Sequence, residues 1–198
     1  MEEINLEKSN PLRIYICGPQ SSGKSTLARW ISKKYRLPLV TEVVRSVVAE
    51  REIQLDQMLA DLELAFSVQR EIAERQLLSE EKAGERFVSD RAFDHLAYSA
   101  NHTMRSHEIA QWANNYLQRV RHEDSIVFFV RPHQQLVTED GVRNNLAWDE
   151  IVRIDGMIKL LLGIYNINYV SIDSINMVDR ARTVSAVIES KDPSLRNM

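Results

Sequence analysis

Leu12-Arg13-Ile14-Tyr15-Ile16-Cys17, followed at once by Gly18-Pro19-Gln20-Ser21-Ser22-Gly23-Lys24-Ser25, is the stretch that decides the fold. The first six residues form an apolar run rich in β-formers, which predicts a strand buried on both faces. Beyond the second block, Leu27, Ile31 and Tyr35 recur every four residues and predict a helix that stops before Pro38. The eight residues in between satisfy G-x-x-x-x-G-K-[ST] at every fixed position, in the strand-to-helix setting that the motif requires. Average residue usage makes a chance match in a chain of this length an event on the order of one per cent, so the motif is read as real. Its physics is direct. Two glycines let the backbone curl round phosphates, and successive N–H groups with a helix N-terminus make a concave positive site. Gly18, Gln20, Ser21, Ser22, Gly23, Lys24, Ser25 and Thr26 are therefore the candidate nucleotide-binding residues. Lys24 is placed to reach the β and γ phosphates, and the Ser25 hydroxyl to ligate Mg²⁺. The motif points to ATP or a similar triphosphate and is silent on what receives the phosphate, because switches, motors and kinases share it.

Working outward, Leu39 to Val43 reads as a second strand, and Asp56 as the cap of a long helix with the stripe Leu59, Leu62, Phe66 and Ile72, ending near Gly84. Phe87-Val88-Ser89 is a short third strand, followed by the helical pattern Phe93, Leu96 and Ala97. Ile109, Trp112, Tyr116 and Val120 mark another helix, and Ser125 to Val130 is the clearest strand of all. A polar stretch runs from Pro132 to Asn145. Helical spacing returns at Ile151, Ile154, Ile158, Leu161 and Tyr165, then a fifth strand at Tyr169 to Ile172 and a last helix around Val178 to Ile188. Strands alternating with helices predict an α/β fold with a parallel sheet covered on both faces. Ligands of such sheets sit at the carboxyl ends of the strands.

The chain has 198 residues, the size of one ordinary domain, and no repeat or linker divides it. A single domain is expected over 1–198, with a lid at about 131–155 and a polar tail at about 190–198. There are 25 basic residues against 28 acidic, a net charge of −3, which argues against a cationic nucleic-acid or membrane surface and against a polynucleotide substrate. The basic residues are 18 Arg and 7 Lys, and Arg suits bidentate anion contacts. The single cysteine, Cys17, excludes a disulfide framework and a multi-thiolate metal site. The five histidines show no metal-ligand spacing. No apolar run approaches the roughly 18 residues of a membrane span. With an acidic, polar N-terminal stretch, the chain reads as cytoplasmic.

The remaining candidates lie at strand ends. Asp90 and Arg91 follow the third strand: the acid is placed to hold the Mg²⁺ shell or take a proton from a nucleophilic hydroxyl, and Arg91 to clamp an anionic or hydroxylated substrate. A helix cap paired with Arg91 at the surface is the plainer reading. Glu42 is the other candidate base, with Arg45 one helical turn on. After the fourth strand, Glu139-Asp140-Gly141-Val142-Arg143 suggests a lid carrying positive charge to the phosphates, or a simple Asp-Gly turn. Arg153 is a second lid charge, Arg131 is left open, and Lys33-Lys34 and Glu80-Glu81-Lys82 read as solvated helix faces. Trp30, Trp112 and Trp148 read as packing residues, Trp148 lying beside the expected lid.

GPQSSGKSTLA from Gly18, TEVVR from Thr41, FVSDRAFDHLAYSA from Phe87 and EDGVR from Glu139, with Asn168 to Asp173 and Arg180-Ala181-Arg182, together resemble the small AAA-type P-loop proteins similar to the ribosylnicotinamide kinase domain and to nucleoside and thymidylate kinases. The resemblance implies a three-layer P-loop fold with strand order 2-3-1-4-5, a substrate pocket between strands two and three, and a lid after strand four. It assigns Lys24 and Ser25 to Mg-ATP, Asp90 or Glu42 to the base, Arg45 and Arg91 to a nucleoside, nucleotide or nicotinamide-riboside-like acceptor, and Arg143 to the lid. Asp94 and Tyr98 fit the family pattern as supports. The expected activity is transfer of the γ-phosphate of ATP; the alternative is a regulatory P-loop ATPase read by a protein partner. Oligomeric state is left open, a homodimer included.

Overall fold

Alternation along the first strand splits the core in two. The computed structural model describes residues 10–41, 43–51, 57, 60–92, 94, 96–97, 106–136 and 147–197. Strand β1 (Leu12–Cys17) sits at the centre of the sheet and sends successive side chains to opposite faces. Leu12, Ile14 and Ile16 enter one core, and Tyr15 and Cys17 enter the other. β1 pairs in parallel with β3 (Arg86–Ser89) and with β4 (Ser125–Val130), in a register that sets Ile14 beside Val88 and Ile126. The edges are β2 (Leu39–Val40) against β3 and β5 (Val170–Ile172) against β4. The five-stranded order is thus 2-3-1-4-5, as expected, with every pairing parallel.

Helices cover both faces. Helix α1 (Lys24–Tyr35) packs Leu27, Ala28 and Ile31 on the Ile14 side, together with Val184 and Ile188 of α6 (Met177–Lys191). On the Tyr15 side lie Ala113, Tyr116 and Leu117 of α4 (Ser106–Val120) and Ile154, Ile158 and Leu161 of α5 (Trp148–Ile164). That is the three-layer arrangement, with the carboxyl ends of β1, β3 and β4 opening toward one edge.

Two expectations are corrected. The second strand stops at Val40, and Val43 starts helix α2 (Val43–Glu50) instead of ending a strand. Val43 and Val47, one turn apart, pack on Val68 and Ile72 of α3 (Leu62–Ala83), so tertiary burial overrides the β preference of valine. Helix α3 is capped by Asp61, whose Oδ1 accepts from the amides of Glu63 at 2.9 Å and Leu64 at 3.0 Å. Asp56 and Leu59 lie outside the described residues, and Leu62 is 54% exposed, so the buried stripe begins at Ala65. Within the stretch expected as a polar tail, one apolar side chain is packed. Pro193–Asn197 forms a short 3₁₀ turn that inserts Leu195 into the Ile14-side core.

Candidate active site

The phosphate loop joins β1 to α1 as its sequence requires. Gly18 has φ 149°, and a Cβ there would overlap the Val130 carbonyl oxygen at the end of β4, so only glycine lets the loop pass. Gly23, the α1 N-cap, has φ 88°, and a Cβ there would come within 2.6 Å of Arg180 Nη1. Ser22 is buried, Ser25 half-buried and Thr26 exposed at the start of the helix.

Lys24 is buried, and its ammonium donates to the carbonyls of Gly18 at 2.6 Å and Pro19 at 2.7 Å. Asp94 Oδ2 lies 3.4 Å from the same ammonium, and Asp94 Oδ1 accepts from the Gly18 amide at 3.4 Å. Burial pulls the Lys24 pKa down, Asp94 and Asp90 push it up, and Arg91 pulls it down again. Burial raises the Asp94 carboxyl, and the charges of Lys24 and Arg91 draw it back. The phosphate-loop lysine and the Asp90-Arg91 pair after β3 therefore share one electrostatic environment. Asp94, assigned only a supporting role by resemblance, is the carboxylate in direct contact with Lys24.

Asp90 is buried, not surface-paired. Its Oδ2 accepts from the Thr41 hydroxyl at 2.6 Å, and its amide donates to the Val40 carbonyl at 3.1 Å, so the end of β2 holds the acid in place. Arg91 is half-buried, and its carbonyl accepts from the Ser89 hydroxyl at 2.5 Å. Glu42, Arg143 and the rest of the Glu139 to Arg143 stretch lie outside the described residues, as do Tyr98 and the Arg45 side chain; the Arg45 backbone is within α2.

Other charges take structural positions. Arg131 makes a bidentate pair with the buried Asp155 of α5, at 3.0 and 2.7 Å, so it fastens α5 to the end of β4. Arg153 is 70% exposed and meets only Glu150, at 3.7 Å, among the described ion pairs. Lys34 is not a plain solvated residue: it and the Tyr35 hydroxyl both bond Glu189 at 2.8 Å, joining α1 to α6. Trp112 stacks on Phe66, ring centroids 5.0 Å apart, which is the packing role expected.

Two residues of the site escaped the sequence reading. Arg180 of α6, noted there only as part of a matching stretch, is buried beside the loop and donates to the Ser22 carbonyl at 2.7 Å and the Ser174 carbonyl at 2.6 Å. Its one signal in the sequence is that it belongs to the Arg180-Ala181-Arg182 stretch that carries the family resemblance. Glu80, read as solvated, is 2% exposed and accepts from Gln76 and Tyr116, each at 2.8 Å. Here a signal existed: Ile72, Gln76 and Glu80 continue the buried stripe at four-residue steps. Burial pushes the Glu80 carboxyl up to about 7 against the opposing pull of Gln76, Tyr116, Arg119 and Tyr15.

Ser25 and Asp90 are oxygen donors of the kind that a hard divalent ion takes, one hydroxyl and one carboxylate with phosphates completing the shell, so the residues present suit Mg²⁺. Among the described residues, no cluster of three His, Cys, Asp or Glu forms an all-protein metal site. No helix among them is long and apolar enough to cross a membrane.

Solved structures share this fold. Deoxyadenosine kinase from M. mycoides with bound dCTP superposes with a TM-score of 0.65 at 16% identity, over 90% of this chain and all of that one. The NadR protein in complex with NR gives 0.61 at 14%, over 91% of this chain and 50% of that one. Shikimate kinase from Acinetobacter baumannii in complex with shikimate gives 0.55 at 11%, over 93% and 97%. At these identities the likeness is one of fold, that of the P-loop kinases. No curated protein matches the chain in sequence. Residues 13–180, from the first strand to the arginine that closes over the phosphate loop, match the family model described as an AAA domain (AAA_28), and the chain belongs to that family.

Proposed function

We propose that this chain is a phosphotransferase that moves the γ-phosphate of Mg-ATP to a small nucleoside, nucleotide or nicotinamide-riboside-like acceptor in the cytoplasm. One observation carries the reading: the ammonium of Lys24 in the phosphate loop lies 3.4 Å from Asp94, four residues after Asp90, and Asp90 itself is held at the end of β3 by the Thr41 hydroxyl. A triphosphate site facing an acid-arginine pair is what in-line transfer to a hydroxyl requires. The loop amides and Lys24 bind and orient the phosphates. Asp90 is fixed by Thr41 so that one oxygen is held while the carboxylate takes a metal-ligand or proton-acceptor role, shared with or ceded to Glu42. Arg91 and Arg45 bind the acceptor, and Arg143, from a lid after β4, adds charge and excludes water. Ser25 and Asp90 would hold Mg²⁺, which supplies charge neutralisation at the transferred phosphoryl group.

The test is incubation of the purified protein with Mg-ATP and a panel of nucleosides, nucleoside monophosphates and nicotinamide riboside. Transfer to at least one is expected, and Lys24→Ala should lower it by at least ~100-fold, as expected for loss of a preorganised charge at the transition state. Intact ATP binding with no transfer across the panel would sink the proposal.

A second reading, an ATPase whose nucleotide state is read by a protein partner, rests on a different observation. Val152, Leu160 and Ile164 stand exposed in one row along α5. It predicts slow ATP hydrolysis with no acceptor, and the same panel separates the two.

A further inference from the structure

We propose that Glu80 is a positioning residue: its buried carboxyl sets the Asp90-Arg91 turn through the Gln76 amide and the Ser89 hydroxyl. The consequence for catalysis rests on the site reading above; the coupling itself does not.

The chain of donors runs one way. Glu80 Oε1 accepts from Gln76 Nε2 at 2.8 Å and from the Tyr116 hydroxyl at 2.8 Å. Gln76 Nε2 has two hydrogens, and the second goes to Ser89 Oγ at 2.8 Å. Ser89, fully buried, has one hydroxyl hydrogen, and with Gln76 donating to its oxygen that hydrogen goes to the Arg91 carbonyl at 2.5 Å. An ionised carboxylate only accepts, so it requires the Gln76 amide to face it with nitrogen. That orientation fixes the Ser89 rotor and holds the turn. A protonated Glu80 is itself a donor. The amide can then present its oxygen, Ser89 can turn its hydrogen to that oxygen, and the Arg91 carbonyl loses its partner. The element has two discrete arrangements, selected by one proton.

The surroundings put that proton in play. Burial is the largest influence on Glu80 and brings its titration to about 7. The groups facing it are Tyr15 from β1 and Tyr116 and Arg119 from α4, with Gln76 on its own helix. Burial and the Glu80 charge hold both tyrosines above their ordinary range, so they remain neutral donors while Glu80 titrates. Arg119, which also pairs with Glu81 at 3.2 Å, favours the ionised form. Above neutrality the turn is held; below it the turn is released.

Nuclear magnetic resonance of the full chain tests this without any acceptor. Between about pH 5.5 and 8.5 the Glu80 side-chain carbon should titrate, and the Ser89 and Arg91 amides should follow with the same midpoint. Glu80→Gln should remove that midpoint from both amides. Ser89→Ala should leave the Glu80 titration in place and uncouple the Arg91 amide from it. The proposal is overturned if Glu80 does not titrate in that range, if the Arg91 amide stays still while Glu80 titrates, or if Arg91 titrates unchanged in Glu80→Gln. Cooperative thermal unfolding checks each variant, and if Glu80→Gln does not fold, Ser89→Ala alone decides. The pH profile of transfer on the same nucleoside panel is the second readout: wild type should gain activity through this midpoint and Glu80→Gln should not. Failure of the whole panel would remove the phosphotransferase reading and leave the amide result to judge this one.

Discussion

Asp94 and Glu80 are buried to nearly the same depth, yet they answer to different partners. Asp94 is fully buried with an ammonium 3.4 Å away, a charge that opposes its protonation. Glu80, at 2% exposure, is held by an amide and a phenol, both neutral. The same desolvation acts on both. Burial raises both carboxyls, but one is drawn back by the ammonium beneath the phosphate loop, and the other, behind the neighbouring turn, is brought to about 7. Depth alone does not decide what a buried acid does; the charge of its nearest partner does.

The largest effect should come from breaking the ion pair. Asp94→Ala leaves the Lys24 ammonium buried with no compensating carboxylate and frees the Gly18 amide. Removing one partner of such a pair typically costs about 3–5 kcal/mol, and chemical denaturation at neutral pH should show a loss of that size. A loss under ~1 kcal/mol would mean that the loop carbonyls of Gly18 and Pro19 suffice to hold Lys24, and that Asp94 and Glu80 are not different in kind.

The second effect is a pH dependence, and its sign follows from the direction of the shift. Folding raises the Glu80 pKa from 4.5 to about 7. Its contribution to stability is therefore fully present below 4.5 and is lost as pH rises through 7. Glu80→Gln cannot ionise, so between those two limits the stability difference should move in favour of the variant by ~3 kcal/mol, at 1.36 kcal/mol per pKa unit. Unfolding curves for both proteins at about pH 4.5, 6.5 and 8.5 measure it. A flat difference across that range would mean that Arg119 fully compensates the buried charge of Glu80, and would erase the contrast with Asp94.

The contrast also shows which parts of the molecule were legible from the residues. The alternation of strands and helices and the phosphate loop were, because they rest on short-range signals: continuous apolar runs, period-four stripes, and two glycines at fixed spacing; the strand order came only with the family resemblance. Val43 and Val47 misled because β-branched residues were read by local preference while their burial against Val68 and Ile72 comes from a helix some twenty residues on. The place of Asp90 directly after a strand was legible. Its hold by Thr41 was not, since that bond joins two strands that are adjacent only in the sheet. Glu80 was misread for a different reason. Beside Glu81 and Lys82 it looked like part of a charged surface run, whereas the helical phase from Ile72 already put it on the core face. Arg180 lies 158 residues from the carbonyl it holds, and nothing local announces such a contact.

The smallest expected effect is the one at the surface. Arg153 was read as a lid charge, yet its guanidinium is 70% exposed and sits 3.7 Å from Glu150, one turn back on the same helix. Solvent screens such a pair, and ordering two long side chains offsets much of the attraction, so Arg153→Ala should change stability by less than about 0.5 kcal/mol. The same variant separates two roles. If Arg153 only decorates α5, transfer and its salt dependence stay as in wild type. If it joins Arg143 over the phosphates, KM for ATP rises while stability does not move, and the rise shrinks as salt is added, because an exposed charge acts through a screened field. An unchanged KM would confine the lid charge to Arg143. It would also mark where the rule drawn from Asp94 and Glu80 stops: partner charge sorts buried groups, whereas an exposed charge is screened by solvent whatever its partner.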